Sequence, residues 1–198
     1  MSGRYMAYVG SYSYTGKAKG ITVFDVDVEK GTFKERCEME VNNSSYVIAS
    51  SDGKTLYSIA DEGVVSFRIL QNGALARLNS APIRGMRGCH LCSDLEDKFI
   101  FVSGYHDGKT TILSLNQDGS VGEIVDGVFD KGYGSVAERN FRPHVTCTRR
   151  MPDNKYVLSV DNGVDQVKIY RFNDKEQKMV QVDAIRCDLE SAPRHFRF

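Results

Sequence analysis

The sequence predicts an all-β protein built from repeated four-stranded antiparallel sheets, the arrangement of a β-propeller. Short runs rich in Val, Ile, Tyr and Phe alternate with turn sequences such as SDG, QNG, HDG, QDG and DNG, and helical periodicity is almost absent. Segments that start at Ser45, Cys89 and Pro143 also repeat one order of strands and turns. Four antiparallel strands recurring at intervals of roughly 40 to 50 residues are typical of propeller blades.

The predicted blades follow one another along a single incomplete propeller domain that covers residues 1–198. We place them at approximately 1–41, 42–80, 86–130 and 142–188. The first repeat contains only three strands, because it lacks the inner strand with which the other repeats begin. Residues 194–198 resemble such an inner strand and therefore predict the start of a fifth blade.

The ends of the repeat leave two ways of completing the ring. Residues 194–198 could supply the missing strand of the first blade and close a small four-blade ring. Alternatively, the chain is the front part of a longer propeller, whose further blades complete the circle. Unclosed blades expose unpaired strand edges, so we expect self-association through these edges in that case.

Composition narrows the class of protein. Lys+Arg and Asp+Glu both count 26 in 198 residues, so the formal net charge is zero, which argues against nucleic-acid and membrane-surface partners. The N-terminal sequence has no apolar segment of the secretory type, and the five cysteines are scattered. We therefore expect a cytoplasmic protein with reduced thiols.

Three of the four histidines occupy the same position in the repeat. His90, His144 and His195 each fall second in a predicted inner strand, where the earlier repeat has Tyr46. Equivalent positions on successive inner strands lie around one rim of the central channel, so we expect these side chains to converge. The alternative is that this position only accommodates a half-buried ring, as Tyr46 suggests.

The loops that lead into these strands are basic and should crowd the same face of the ring. Their arginines are Arg84, Arg87, Arg139, Arg142 and Arg194. Guanidinium groups beside imidazoles suit an anionic ligand, because arginine makes bidentate bonds to phosphate and carboxylate. Cys89 and Cys92 should point to opposite faces of a strand, so we predict no metal site, and no cofactor motif is present.

Several segments together resemble the seven-bladed propeller lactonases. They are YVGSYS, GITVFDVD, LNSAPIRG, CHLCSD, DGSVGEIVDGV, ERNFRPHV, VDNGVDQVKIYRF and PRHFRF, in collinear order. The family includes propeller-type 6-phosphogluconolactonases, with carboxymuconate cyclases as relatives. The resemblance implies a metal-independent cytoplasmic hydrolase that converts 6-phosphoglucono-1,5-lactone to 6-phosphogluconate in the pentose phosphate pathway. It also implies that the chain is truncated after the fourth blade.

The resemblance assigns roles to individual residues. His144 matches the functional histidine of the family's P-H-x-H stretch and would act as general base, and Arg194 matches the arginine of P-R-H and would stabilise the oxyanion. The resemblance also matches His90 and Arg139 to functional positions of the family, and we expect both to bind the substrate. His195, from the shared repeat position, and Arg142, from a basic loop, are expected to bind it with them. The family pattern is broken at three positions, where this chain has Gly88, Asn140 and Thr146.

Two other functions remain open at this point. A carboxymuconate cycloisomerase would keep the same pocket, with its arginines on carboxylates. A non-catalytic propeller that binds or scaffolds a partner would fit Thr146 and the shortened chain.

Overall fold

The computed structural model describes residues 5–134 and 141–198. Within these ranges the chain forms fifteen strands in four separate antiparallel sheets, which we call blades 1 to 4 in chain order. Blade 1 consists of β1 (Tyr5–Gly10), β2 (Gly20–Asp27) and β3 (Thr32–Glu40). Blade 2 consists of β4 (Val47–Ala49), β5 (Thr55–Ala60), β6 (Gly63–Ile69) and β7 (Leu75–Pro82).

The other two blades have the same four-stranded meander. Blade 3 consists of β8 (His90–Ser93), β9 (Phe99–Gly104), β10 (Lys109–Leu115) and β11 (Val121–Phe129). Blade 4 consists of β12 (Val145–Arg150), β13 (Tyr156–Asp161), β14 (Gln166–Asn173) and β15 (Lys178–Arg186). Each strand pairs with its neighbour in sequence, so the prediction of an all-β fold made of antiparallel blades is confirmed.

Short polar residues close the tight turns between strands. The side chain of Asp52 accepts a hydrogen bond from the backbone N–H of Lys54, and Asp118 does the same for Ser120. These bonds satisfy backbone groups that the strand ladder leaves free. The glycine of the turn in blade 3, Gly119, has φ of 85°, a conformation that costs a residue with a side chain more than it costs glycine.

Apolar side chains fill the spaces between successive blades. Every residue of β5 and of β9 is buried, since each of these strands has a neighbouring blade on both faces. The cluster between blades 2 and 3 brings Tyr57 and Ile59 against Leu91 and Ile100. Equivalent clusters join blade 1 to blade 2 and blade 3 to blade 4. A blade cannot bury both faces alone, so this stacking stabilises the whole arrangement.

The segment after blade 4 differs from the prediction. Residues 194–198 form no strand, because a strand requires a hydrogen-bonded partner and none of the strand pairings in the described ranges involves this segment. Instead, the carbonyl of Arg194 accepts a hydrogen bond from Thr146 Oγ1 at 2.8 Å, which holds the segment beside β12. Strand β1 is paired to β2 alone, so closure of a four-blade ring through residues 194–198 is not formed.

The described part of the chain contains no helix with the length and apolar character needed to span a membrane.

Candidate functional site

The candidate site lies at the end of the blades where the second and third strands of each blade turn. The Tyr105–Asp107 turn of blade 3 contacts the residue that precedes β12, and the Asp161–Asp165 turn of blade 4 binds the segment at 190–192. The loops that enter β8 and β12 reach the same end. The sheets thus bring together residues that are about 40 to 90 positions apart in the sequence.

His144 is held in one orientation just before β12. Its backbone N–H donates to Asp161 Oδ1 at 2.8 Å, and its Nδ1 lies 2.7 Å from the carbonyl oxygen of Tyr105. Its ring also stacks on the Tyr105 ring at a centroid distance of 4.4 Å. A carbonyl can only accept, so Nδ1 donates and the neutral ring carries its lone pair on Nε2.

The close packing around His144 depends on a glycine. A Cβ atom on Gly163 would lie 1.9 Å from the carbonyl oxygen of Arg142 and 2.8 Å from Cδ2 of His144. The turn after β13 can approach the His144 loop this closely only without a side chain at position 163.

A buried charged network lies beneath His144. The Lys168 side chain is buried, with 1 % of its surface exposed. Its Nζ lies 3.3 Å from Asp161 Oδ2 and 3.2 Å from Asp130 Oδ2. The contact with Asp130 is an ion pair that lacks hydrogen-bond geometry. Nζ also donates to the carbonyl of Lys131 at 2.8 Å, and the Tyr170 hydroxyl donates to Asp130 Oδ1. Burial raises the pKa of Asp130 to about 6, although Lys168 and Tyr170 oppose the change.

Two of the three histidines predicted to converge do so. His90 and His195 have ring centroids 5.4 Å apart, and His90 also packs on Tyr46 at 4.7 Å. His90 Nε2 lies 3.6 Å from Cys147 Sγ, so Cys147 rather than His144 is level with His90. His144 precedes its strand whereas His90 begins β8, and β12 has a register irregularity between Val145 and Cys147. The shared repeat position therefore does not bring all three imidazoles together: His144 lies apart from His90 and His195.

The surroundings of His90 favour its neutral form. Burial lowers the pKa of His90 to about 3, with smaller contributions from the charges of Arg149 and His195. The pKa of His195 is also lowered, by partial burial and by Arg149 and Arg197. Burial raises the pKa of the Cys147 thiol, while the backbone N–H of Phe196 and the Arg149 guanidinium oppose the change by hydrogen bonding and charge.

His90 should make the protein acid-sensitive. The unfolded chain protonates this imidazole near pH 6.5 but the folded chain only near pH 3, so stability falls as the pH drops through this window. Between pH 7.5 and pH 5 we expect wild type to lose about 2 kcal/mol more free energy of unfolding than His90→Gln does. Urea titrations at both pH values measure this difference. An equal loss in the two proteins would contradict the assignment, and Asp130, present in both, cancels in the comparison.

The predicted arginines are placed differently from one another. The Arg194 side chain is exposed. Burial raises the pKa of the Cys89 thiol to about 11, and the charge of Arg194 is one of the smaller effects that oppose this rise. Arg142 is exposed and lies 5.6 Å from the centroid of the Phe141 ring. Arg139 lies outside the described residues. Arg87 is engaged structurally, since it bonds Asp61 at 2.9 Å and lies over the Tyr12 ring.

A separate cavity, larger than the pocket beside His90 and His195, lies away from this site. This cavity, of about 690 Å³, lies at the opposite end of blades 2 and 3, among turn residues such as Asp52 and Asp118. A pocket of about 440 Å³ beside the histidine pair is lined by Leu91, Arg149 and Arg197 among others. The larger cavity is lined by ordinary solvent-facing turns, whereas the candidate site contains a histidine held in one orientation above a buried charged network.

Sequence reasoning missed three residues of the site. Tyr105 orients His144, Asp161 fixes its backbone, and Cys147 joins the histidine pair. The available signal for Cys147 was its position in the inner strand that follows His144. No local pattern identifies Tyr105, whose contact with His144 spans 39 residues.

Comparison with known proteins places the chain in a family. A family model described as "Lactonase, 7-bladed beta-propeller" matches residues 6–198. The 6-phosphogluconolactonase of Bacillus subtilis is 31% identical over 201 residues, which cover 98% of this chain and 56% of the relative. The chain therefore spans about half the length of this relative.

Solved structures agree with this family. A Bacteroides fragilis protein assigned as a 6-phosphogluconolactonase is 32% identical with a TM-score of 0.87, and a Bacteroides uniformis protein assigned likewise is 25% identical with a TM-score of 0.88. Each alignment covers 96% of this chain and 56% of the other chain. The family model spans almost every residue, and the resemblance inferred from the sequence is confirmed: the chain belongs to the family of seven-bladed β-propeller lactonases.

Proposed function

We propose that this protein is a lactone hydrolase that opens 6-phosphoglucono-1,5-lactone to 6-phosphogluconate. The observation that carries the proposal is the orientation of His144. Its Nδ1 donates to the Tyr105 carbonyl, so its Nε2 carries the lone pair that can accept a proton. Membership of the lactonase family supports the reaction class.

In the proposed reaction, Nε2 of His144 accepts a proton from a water molecule as that water attacks the lactone carbonyl. The tetrahedral intermediate then collapses, the ring C–O bond breaks, and the proton returns to the departing sugar oxygen. The product is a hydroxy acid that loses a proton to solvent at neutral pH. General base catalysis of this kind contributes about 10²–10⁴ in rate.

Basic groups around the site suit the anionic substrate. The Arg194 side chain would stabilise the oxyanion, and Arg142 and Arg139 would hold the phosphate. The exposed positions of Arg194 and Arg142 leave both guanidinium groups open to a ligand. His90 and His195 would line the inner end of the same site. A cytoplasmic location and a role in the pentose phosphate pathway belong to this proposal.

A comparison of substrates tests the proposal. We expect the purified 198-residue chain to accelerate hydrolysis of 6-phosphoglucono-1,5-lactone, with kcat/KM about 10- to 100-fold above that for unphosphorylated glucono-1,5-lactone, because charge-assisted bonds to phosphate would be lost. Acid release in a pH-stat measures both rates after subtraction of spontaneous hydrolysis.

Two results would count against it. No acceleration of either lactone would overturn the hydrolase assignment for this chain. Equal kcat/KM values would overturn phosphate recognition but leave lactone hydrolysis in place. A carboxymuconate, tested in parallel, distinguishes the cycloisomerase alternative.

A further inference from the structure

Three side chains of types that can bind a metal ion lie together where blades 3 and 4 meet the C-terminal segment. His90 begins β8, Cys147 lies in β12 and His195 follows Arg194. One donor atom from each residue lies within 4.8 Å of the other two. His90 and Cys147 are 1 % and 0 % exposed, whereas His195 is accessible to solvent.

The separation of the two buried donors suits a tetrahedral metal ion. With Zn–S about 2.3 Å and Zn–N about 2.0 Å, sulfur and nitrogen ligands of one zinc ion lie about 3.5 Å apart. His90 Nε2 and Cys147 Sγ are 3.6 Å apart. A thiol-to-imidazole hydrogen bond would account for this pair, and edge-to-face packing on the His90 ring keeps the third donor, His195, close to both. His195 is exposed, so rotation of its side chain can close the remaining distance.

Within the described residues, the ring nitrogens of His90 make no hydrogen bond to any group other than Cys147. Nδ1 of this ring is buried and has no hydrogen-bond partner there, and its Nε2 faces only the Cys147 sulfur. The Cys147 sulfur in turn faces two donors, the backbone N–H of Phe196 and the Arg149 guanidinium. Burial still raises the pKa of this thiol, so the proton leaves Cys147 only as the metal ion binds in its place.

We propose that His90, Cys147 and His195 form a Zn²⁺ site with three protein ligands and a fourth position open to solvent. The Cys147 S–H bond breaks as the Zn–S bond forms, and the proton is released to solvent, so binding strengthens as the pH rises. The resulting thiolate offsets one charge of the ion. The positive charge of Arg149 repels the remaining positive charge of the ion, so we expect the affinity for Zn²⁺ to be below that of a four-ligand structural zinc site.

Cobalt substitution tests the site without reference to enzyme activity. Titration of the metal-free chain with Co²⁺ should produce visible ligand-field bands and a near-ultraviolet thiolate-to-cobalt band, both saturating at one equivalent of Co²⁺. Added Zn²⁺ should then displace the cobalt and abolish these bands. Cys147→Ser should abolish the thiolate band. His195→Gln, at an exposed position, should weaken Co²⁺ binding by at least about tenfold and keeps the test valid if Cys147→Ser fails to fold.

Two matched variants serve as controls. Cys92→Ser changes a half-buried thiol on the same strand as His90, and His106→Asn changes the exposed histidine outside the cluster; both should bind Co²⁺ as wild type does. Absence of a thiolate band in wild type, or a band that survives Cys147→Ser, would overturn the proposal. Unchanged affinity in His195→Gln would overturn the three-ligand set.

Discussion

Replacement of His144 by asparagine should lower kcat for lactone hydrolysis by about 10²–10⁴ with little change in KM. Asparagine places an N–H close to the position of Nδ1, so the hydrogen bond to the Tyr105 carbonyl can be kept while Nε2 is removed. The loss of rate would then come from the missing base rather than from a displaced loop. Initial rates with 6-phosphoglucono-1,5-lactone, together with a urea titration of the variant, measure both effects.

The control for this substitution is His106→Asn. His106 lies next to Tyr105 in the same turn but is exposed, so its replacement should leave kcat within about twofold of wild type. A rate in His144→Asn equal to that of His106→Asn would show that His144 is not the base. The family assignment would stand in that case, because it rests on the whole chain rather than on one side chain.

The sequence predicts the blades well because their signals are local. Alternating apolar residues define each strand, and turns such as the one closed by Asp118 mark where it reverses. Even the three-stranded first blade follows from the missing inner strand. The segment at 194–198 is the exception, because its sequence resembles a strand while strand formation depends on a partner elsewhere in the chain.

The site is harder to predict, because its contacts join different blades. The repeat position singles out His144 and the resemblance gives it a role, but its partner Tyr105 is on the preceding blade and carries no motif. The shared repeat position of the histidines led to the expectation of a single ring of imidazoles. The register of β12 instead brings Cys147 level with His90, and register between neighbouring blades is set by side-chain packing rather than by a local pattern.

The burial of Lys168 can be predicted from the pattern of residues in β14. In β14 it alternates with Tyr170 and Phe172, and both of these rings face the core. Residues two apart in a strand share a face, so the lysine is directed inward with them. A lysine is seldom fully buried without a partner, which points to carboxylates nearby.

Replacement of Lys168 by methionine should lower the free energy of unfolding by about 3–5 kcal/mol. Methionine fills a similar volume, but it leaves the carboxylates of Asp130 and Asp161 buried without their cation. A urea titration at pH 7.5 measures the loss. Lys178→Met is the matched control, since Lys178 also binds an aspartate of blade 3 but is largely exposed, and its loss should cost less than about 1 kcal/mol. Similar losses in the two variants would contradict a special role for the buried network.

The same network should matter for activity through Asp161, which binds both Lys168 and the backbone of His144. A triple variant, Asp130→Asn, Asp161→Asn and Lys168→Met, removes the three charges of this network together. Such neutral replacements often recover much of the stability lost when one partner is removed alone. If the triple variant regains stability but hydrolyses the lactone slowly, the network positions the base. Recovery of both properties would mean that it only stabilises the contact between blades 3 and 4.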